Sequence, residues 1–191
     1  MKNLLFLAIT FYIIVSCSRG DKSNNISIGY NGSDSLKKSI ELKENNLKNY
    51  YQALMQDKIA VDSLPNQLIN ELIKSYQIFY QSYPKDTASP FYIDKIHQLF
   101  TQEKQYSYAV DWVDTLLSHY PNYRNKTMVL YSAATSTDMY LLDSNRVKRY
   151  YLRMIDECPK LKIEVKKQIQ HRLKYLKIPY VEYLSKQHSL K

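Results

Sequence analysis

Asp111 and Asp114 stand three residues apart in a helical stretch, and paired carboxylates on one helix face can divide acid and base duties. They fall, however, on the side opposite that helix's apolar residues, which reads as a solvated acidic face. His97 and His119 belong to different expected helices, with no second His or Cys near either in sequence, and His171 sits beside Arg172 in a basic stretch. A metal centre needs three or four converging ligands, so no metal or other cofactor is expected. HExxH, CxxC, P-loop and GxSxG patterns do not occur. All three glycines, Gly20, Gly29 and Gly32, precede the main helical region, so that region cannot build a Gly-rich phosphate cradle. The residue types point away from catalysis and towards binding.

The helix that would carry the acid pair is Ala109–Pro121. Ala109, Trp112, Val113, Leu116, Leu117 and Tyr120 recur at offsets that place all six on one face, and Pro121 stops the helix. The same spacing returns upstream in Leu72, Ser75, Tyr76, Phe79, Tyr80 and Tyr83 before Pro84. It returns downstream in Val147, Tyr150, Tyr151, Met154, Ile155 and Cys158 before Pro159. The prolines lie 37 and 38 residues apart, the mark of an internal repeat. Trp112, Tyr150 and Tyr151 could line a peptide groove, but their register assigns them to the core first.

Further helices fill the intervals. A first helix is expected over Leu36–Asp57, with Leu36, Ile40, Leu47, Tyr50, Tyr51 and Leu54 at helical spacing. Ser63 is a candidate cap for the second, and Ser89-Pro90, a capping side chain followed by Pro at the first helical position, starts the third, which carries Ile93, Ile96 and Phe100. Asn125 is expected to cap a helix offering Met128, Leu130, Tyr131, Ala134 and Met139 for packing, and Asp143-Ser144 opens its partner. Leu161–Leu176 reads as amphipathic through Ile163, Ile169, Leu173 and Leu176, and Pro179–Gln187 as a closing helix held by Val181 and Leu184. No strand is expected. The fold class is therefore all-α, an α-solenoid of three to four antiparallel helix pairs, since each pair leaves an apolar face that only a neighbouring pair can bury.

The formal charge of +9 is unevenly spread. Residues 144–191 hold thirteen Lys and Arg against four acids, whereas residues 18–143 are nearly balanced. Lys160, Lys167 and Lys174 recur every seven residues and are expected to form a basic stripe suited to an anionic surface, or else a plain solvated face. Tyrosine is abundant, with 19 residues. Its apolar ring and polar tip suit half-buried positions, or it fills the core where other chains use Phe or Leu. Cys158, at a core position, reads as a small buried hydrophobe.

Lys2 followed by the apolar run Leu4–Val15 has the charge and length of a secretion signal. Ile14-Val15-Ser16-Cys17 then resembles the bacterial lipobox, which implies cleavage before Cys17 and lipidation of that cysteine. The organisation expected is a signal peptide over 1–16, a lipidated Cys17 with a tether over 17–35, and a repeat domain over 36–191. Arg19 resembles the outer-membrane sorting pattern in the position it occupies after Ser18. Arg19-Gly20-Asp21 spells an adhesion tripeptide, read here as accidental.

The repeat is similar to the tetratricopeptide repeat. Ala109, Val113 and Pro121 match that family's spacing, with Val in place of its aromatic residue. Tyr76 and Tyr151 keep the aromatic in the flanking repeats, while Leu72 and Val147 replace Ala and His97 stands where the family has Gly. The longer period resembles the tetratricopeptide lipoproteins of Gram-negative envelopes, including the lipoprotein of the β-barrel assembly machinery. Leu176–Tyr180 is similar to the tail of short repeat lipoproteins of Bacteroidota. The resemblance implies a non-catalytic scaffold or adaptor, lipid-anchored to the periplasmic face of the outer membrane and holding an envelope protein or peptide segment. Two alternatives stay open: a structural lipoprotein whose basic C-terminal helices meet anionic headgroups, and an envelope hydrolase. Nucleic acid is not expected as a partner in that compartment.

Overall fold

The computed structural model describes residues 32–56 and 64–187. The leader, Cys17, most of the tether and Ser63 lie outside them. Among the described residues every regular element is helical. In chain order these are α1 (Gly32–Met55), α2 (Leu64–Ser82), α3 (Ser89–Gln102), α4 (Tyr106–His119), α5 (Lys126–Ser136), α6 (Ser144–Glu157), α7 (Ile163–Lys174) and α8 (Tyr180–Lys186). A π-helical turn, Thr137–Leu141, continues α5.

The three repeated faces are core faces. Leu72, Ser75, Tyr76 and Phe79 on α2, Ala109, Val113, Leu116 and Leu117 on α4, and Val147, Tyr150, Tyr151 and Met154 on α6 are all buried. Trp112 and Tyr120 are half-buried. One apolar cluster joins α1, α2 and part of α3, a second runs from α3 to α7, and Trp112 packs against both. Each helix from α1 to α7 packs on the next in the chain.

Tyrosine hydroxyls tie neighbours together where the rings are buried or half-buried. Tyr76 on α2 bonds Glu44 of α1, Tyr120 donates to the Pro84 carbonyl, Tyr123 donates to Asp94 at 2.7 Å, and Tyr150 donates to Asp114 at 2.8 Å. The polar tip therefore links one element to another, which Phe could not do.

Several local expectations need correction. α1 starts at Gly32, inside the stretch read as tether, because Ser33 is buried and Lys37 Nζ reaches Asp86 at 2.7 Å, docking the first turn on the α2–α3 turn. Ser89 does not cap α3. Its hydroxyl donates to the Tyr83 carbonyl at 2.6 Å, while Asp86 accepts from the Ala88 N–H at 2.9 Å. Asn125 occupies the N-cap of α5 without a side-chain capping bond. Asp143 does cap α6, accepting from the Arg146 N–H at 3.0 Å.

On α5 the buried apolar positions are Val129, Leu130, Ala133 and Ala134, and Met128 and Tyr131 are exposed. Ile163 is exposed as well. It lies six residues before buried Ile169, two-thirds of the way round a helix from it, whereas Val165, Ile169 and Leu173 share one side. On α8 the anchor is Tyr183, and Val181 and Leu184 face outward.

Candidate interaction surfaces

The acid pair is committed to structure. Arg146 Nη2 donates to both Asp111 and Asp114, Arg149 Nη2 donates to Asp114 at 2.8 Å, and the Tyr150 hydroxyl donates to Asp114 as well. The expected solvated face is instead the α4 side of a bridge to α6. Burial pushes the Tyr150 hydroxyl up to about 12, helped by the Asp114 charge. Burial works against the Arg146 charge, but its bonds to Asp111 and Asp114 prevail and raise its pKa. Asp114 is thus held by two guanidinium groups and a phenol, and Asp111 by one guanidinium.

His97 is buried on α3 and its Nδ1–H donates to the Ala109 carbonyl at 3.2 Å on α4. Burial lowers its pKa, against the opposing pull of Asp94, so the ring is neutral near pH 7. Asp94 receives the Tyr123 hydroxyl, whose pKa burial and that same charge raise. Sequence reasoning missed Asp94 and Tyr123 as a pair. Cys158 is a buried free thiol.

The second group missed is built on Arg172. It is buried, and it forks onto Asp138 with Nε at 2.8 Å and Nη2 at 2.7 Å. Its remaining donors take the Tyr175 carbonyl at 2.7 Å and the Ile178 carbonyl at 2.9 Å, and Tyr183 and Tyr180 cover the guanidinium. Burial works against the charge, but the Asp138 bonds outweigh it and raise the pKa. The group clamps the stretch between α7 and α8 onto the π-helical turn. Its signal was in the spacing, since Arg172 lies three residues after Ile169, on the apolar side of α7.

What remains for partners is surface. Lys160, Lys167 and Lys174 are all exposed, but Lys160 precedes the first residue of α7, so only Lys167 and Lys174 ride that helix. Cys17 lies outside the described residues. Between the α2–α3 and α4–α5 turns is an open cleft of about 700 Å³, lined by Pro90, Phe91, Tyr120, Pro121 and Arg124 among others. Among the described residues, no three His, Cys, Asp or Glu side chains come together as a metal site would require, and no helix is long and apolar enough to cross a membrane. No family model and no curated protein matches this chain.

Proposed function

We propose that this chain is a non-catalytic scaffold or adaptor, a tetratricopeptide-like α-solenoid anchored through lipid on Cys17 to the outer membrane, on its periplasmic face, and holding an envelope protein or peptide segment. One observation carries the reading: three helices with the same buried face and the same terminal proline, each packed on its chain neighbours. That is how a stacked repeat buries apolar surface. The lipobox-like Ile14–Cys17 supports the anchor. The use of Asp94, Asp111, Asp114, Asp138 and Arg172 in ties between elements argues for a scaffold over the hydrolase alternative, which would keep a carboxylate free for substrate.

Intact mass of the mature chain and fractionation of Cys17→Ser test the anchor. The parent should begin at acylated Cys17, and the variant should lose membrane association at high salt or remain uncut. An unchanged mass and fractionation would refute it. The adaptor role is tested by crosslinking in intact cells followed by purification in detergent. A partner recovered at fixed stoichiometry supports it, and hydrolysis of cell-wall material by the purified chain overturns it.

A further inference from the structure

We propose that one edge of the domain, made by the starts of α3, α5 and α7 with the turns before them, rests on the lipid surface that holds the anchor. This rests on the lipoprotein reading of Cys17. The contacts define the edge. Lys37 on α1 bonds Asp86 in the α2–α3 turn at 2.7 Å, the Tyr120 hydroxyl reaches the Pro84 carbonyl from the α4–α5 turn, and Lys126 at the start of α5 meets Glu157 at the end of α6 at 3.2 Å. The N-terminus of α1 therefore lies on the same edge as the turns that close the repeats.

Two independent features give this edge an interfacial character. The first turn of each of α3, α5 and α7 exposes a large apolar side chain: Phe91 at 38%, Met128 at 69% and Ile163 at 58%. The turns before them carry exposed cations, Lys85, Arg124, Lys160 and Lys162. Among the acids there, Asp86 is taken by Lys37 and Glu157 by Arg153 and Lys126, leaving Asp156 and Glu164, with Asp34 in the first turn of α1, as the opposing exposed charges. Apolar side chains interleaved with cations suit the headgroup region of an anionic leaflet, where the former enter the acyl boundary and the latter meet phosphate.

The length of chain ahead of α1 adds a third argument. Fourteen residues separate Cys17 from Gly32, so the anchor joins the domain at this edge with a reach of at most about 50 Å. Lipid on Cys17 would hold the domain where the edge already has the side chains for contact. Of the three lysines expected to act together, only Lys160 belongs here. Lys174 ends α7 and lies towards the other edge.

The test uses the full chain, purified in detergent and reconstituted into vesicles of phosphatidylethanolamine and phosphatidylglycerol. In a Cys158→Ala background, so that no native free thiol among the described residues competes for label, cysteines replacing Phe91, Met128 or Ile163, and Leu142 or Val181 as references on other surfaces, carry an environment-sensitive fluorophore. Spin-labelled lipids in the vesicles quench it. The three edge positions should be quenched several-fold more than Leu142 and Val181, with blue-shifted emission. Intact mass of the same preparation reports acylation of Cys17. If the chain is acylated and the edge labels are quenched no more than the references, the inference falls and the lipoprotein reading stands. If the mass shows no acyl group, the lipoprotein reading fails and takes the inference with it.

Discussion

Arg172 and Asp138 are buried together, and the guanidinium also holds two backbone carbonyls, so the pair cannot be read from Coulomb attraction alone. Removing one partner leaves a charge without water or counterion, which costs about 3–5 kcal/mol. Arg172→Met should destabilise by that order in urea melts. Adding Asp138→Leu should recover much of the loss, because replacing both charges by apolar groups of similar volume is often neutral. A double variant no more stable than Arg172→Met would mean that the carbonyls of Tyr175 and Ile178 are the larger part of the clamp. His97 offers a pH test. Its folded pKa lies below its unfolded value, so below about pH 6.5 the unfolded chain takes up a proton that the fold refuses. Stability from this group is complete above that pH and is lost as pH falls. His97→Gln keeps a donor for the Ala109 carbonyl and cannot titrate, so its stability should fall less steeply between neutral and mildly acidic pH than the parent's. Equal slopes would assign the acid loss elsewhere. These groups were hard to read in sequence for a physical reason. A buried polar residue is defined by its partner, and Asp138 lies 34 residues from Arg172, so periodicity flags the Arg on an apolar face but cannot say what meets it.

At the scale of elements, periodicity was reliable where several apolar positions repeat. The faces of α2, α4 and α6 are buried as their spacing requires. It was right only in part on α5 and α7, where Leu130, Ala134 and Ile169 are buried but Met128, Tyr131 and Ile163 are exposed, and it missed on α8, where Val181 and Leu184 are exposed; apolar residues on several sides of α5 and too few on α7 and α8 leave the phase unfixed. The start of α6 was legible at Asp143-Ser144, but the cap expected at Ser89 does not form, because a hydroxyl can choose between its own helix and the preceding turn, and at Ser89 the Tyr83 carbonyl wins. The end of α3 shows another limit. The Gln105 N–H returns to the Phe100 carbonyl and the Lys104 N–H to the Thr101 carbonyl, the bond pair of a Schellman motif. Its left-handed position, usually glycine, is Lys104 at φ 58°. A side chain there costs on the order of 1 kcal/mol. Lys104→Gly should therefore raise stability by about 0.5–1 kcal/mol, net of the added freedom of the unfolded chain. A loss of stability in thermal melts would show that the lysine makes up for its conformation through its side chain.

At the scale of the whole molecule, charge is distributed in a way that sequence counts blur. The excess of positive charge over 144–191 suggested a C-terminal basic end, yet much of it is internal to the fold: Arg146 and Arg149 serve Asp111 and Asp114, Arg153 serves Glu157, and Arg172 is buried. Among the exposed cations, Lys85, Arg124, Lys160 and Lys162 sit at the turn edge, and Lys167 and Lys174 on α7. A lysine or arginine near an anionic leaflet contributes about 1 kcal/mol, screened over about 8 Å at physiological salt. The two sets thus make different predictions. Lys85→Glu, Arg124→Glu, Lys160→Glu and Lys162→Glu together should leave the melting temperature nearly unchanged, since all four are exposed. They should, however, sharply reduce lipid quenching of a fluorophore at position 128 in the acylated, reconstituted chain, and raised salt should reproduce part of that loss in the parent. Lys167→Glu with Lys174→Glu should leave both the melting temperature and the quenching nearly unchanged, because a domain standing on its turn edge holds the length of α7 away from the leaflet. If the α7 pair reduces quenching and the edge set does not, the domain lies along α7, and the seven-residue lysine spacing rather than the turn edge faces the lipid.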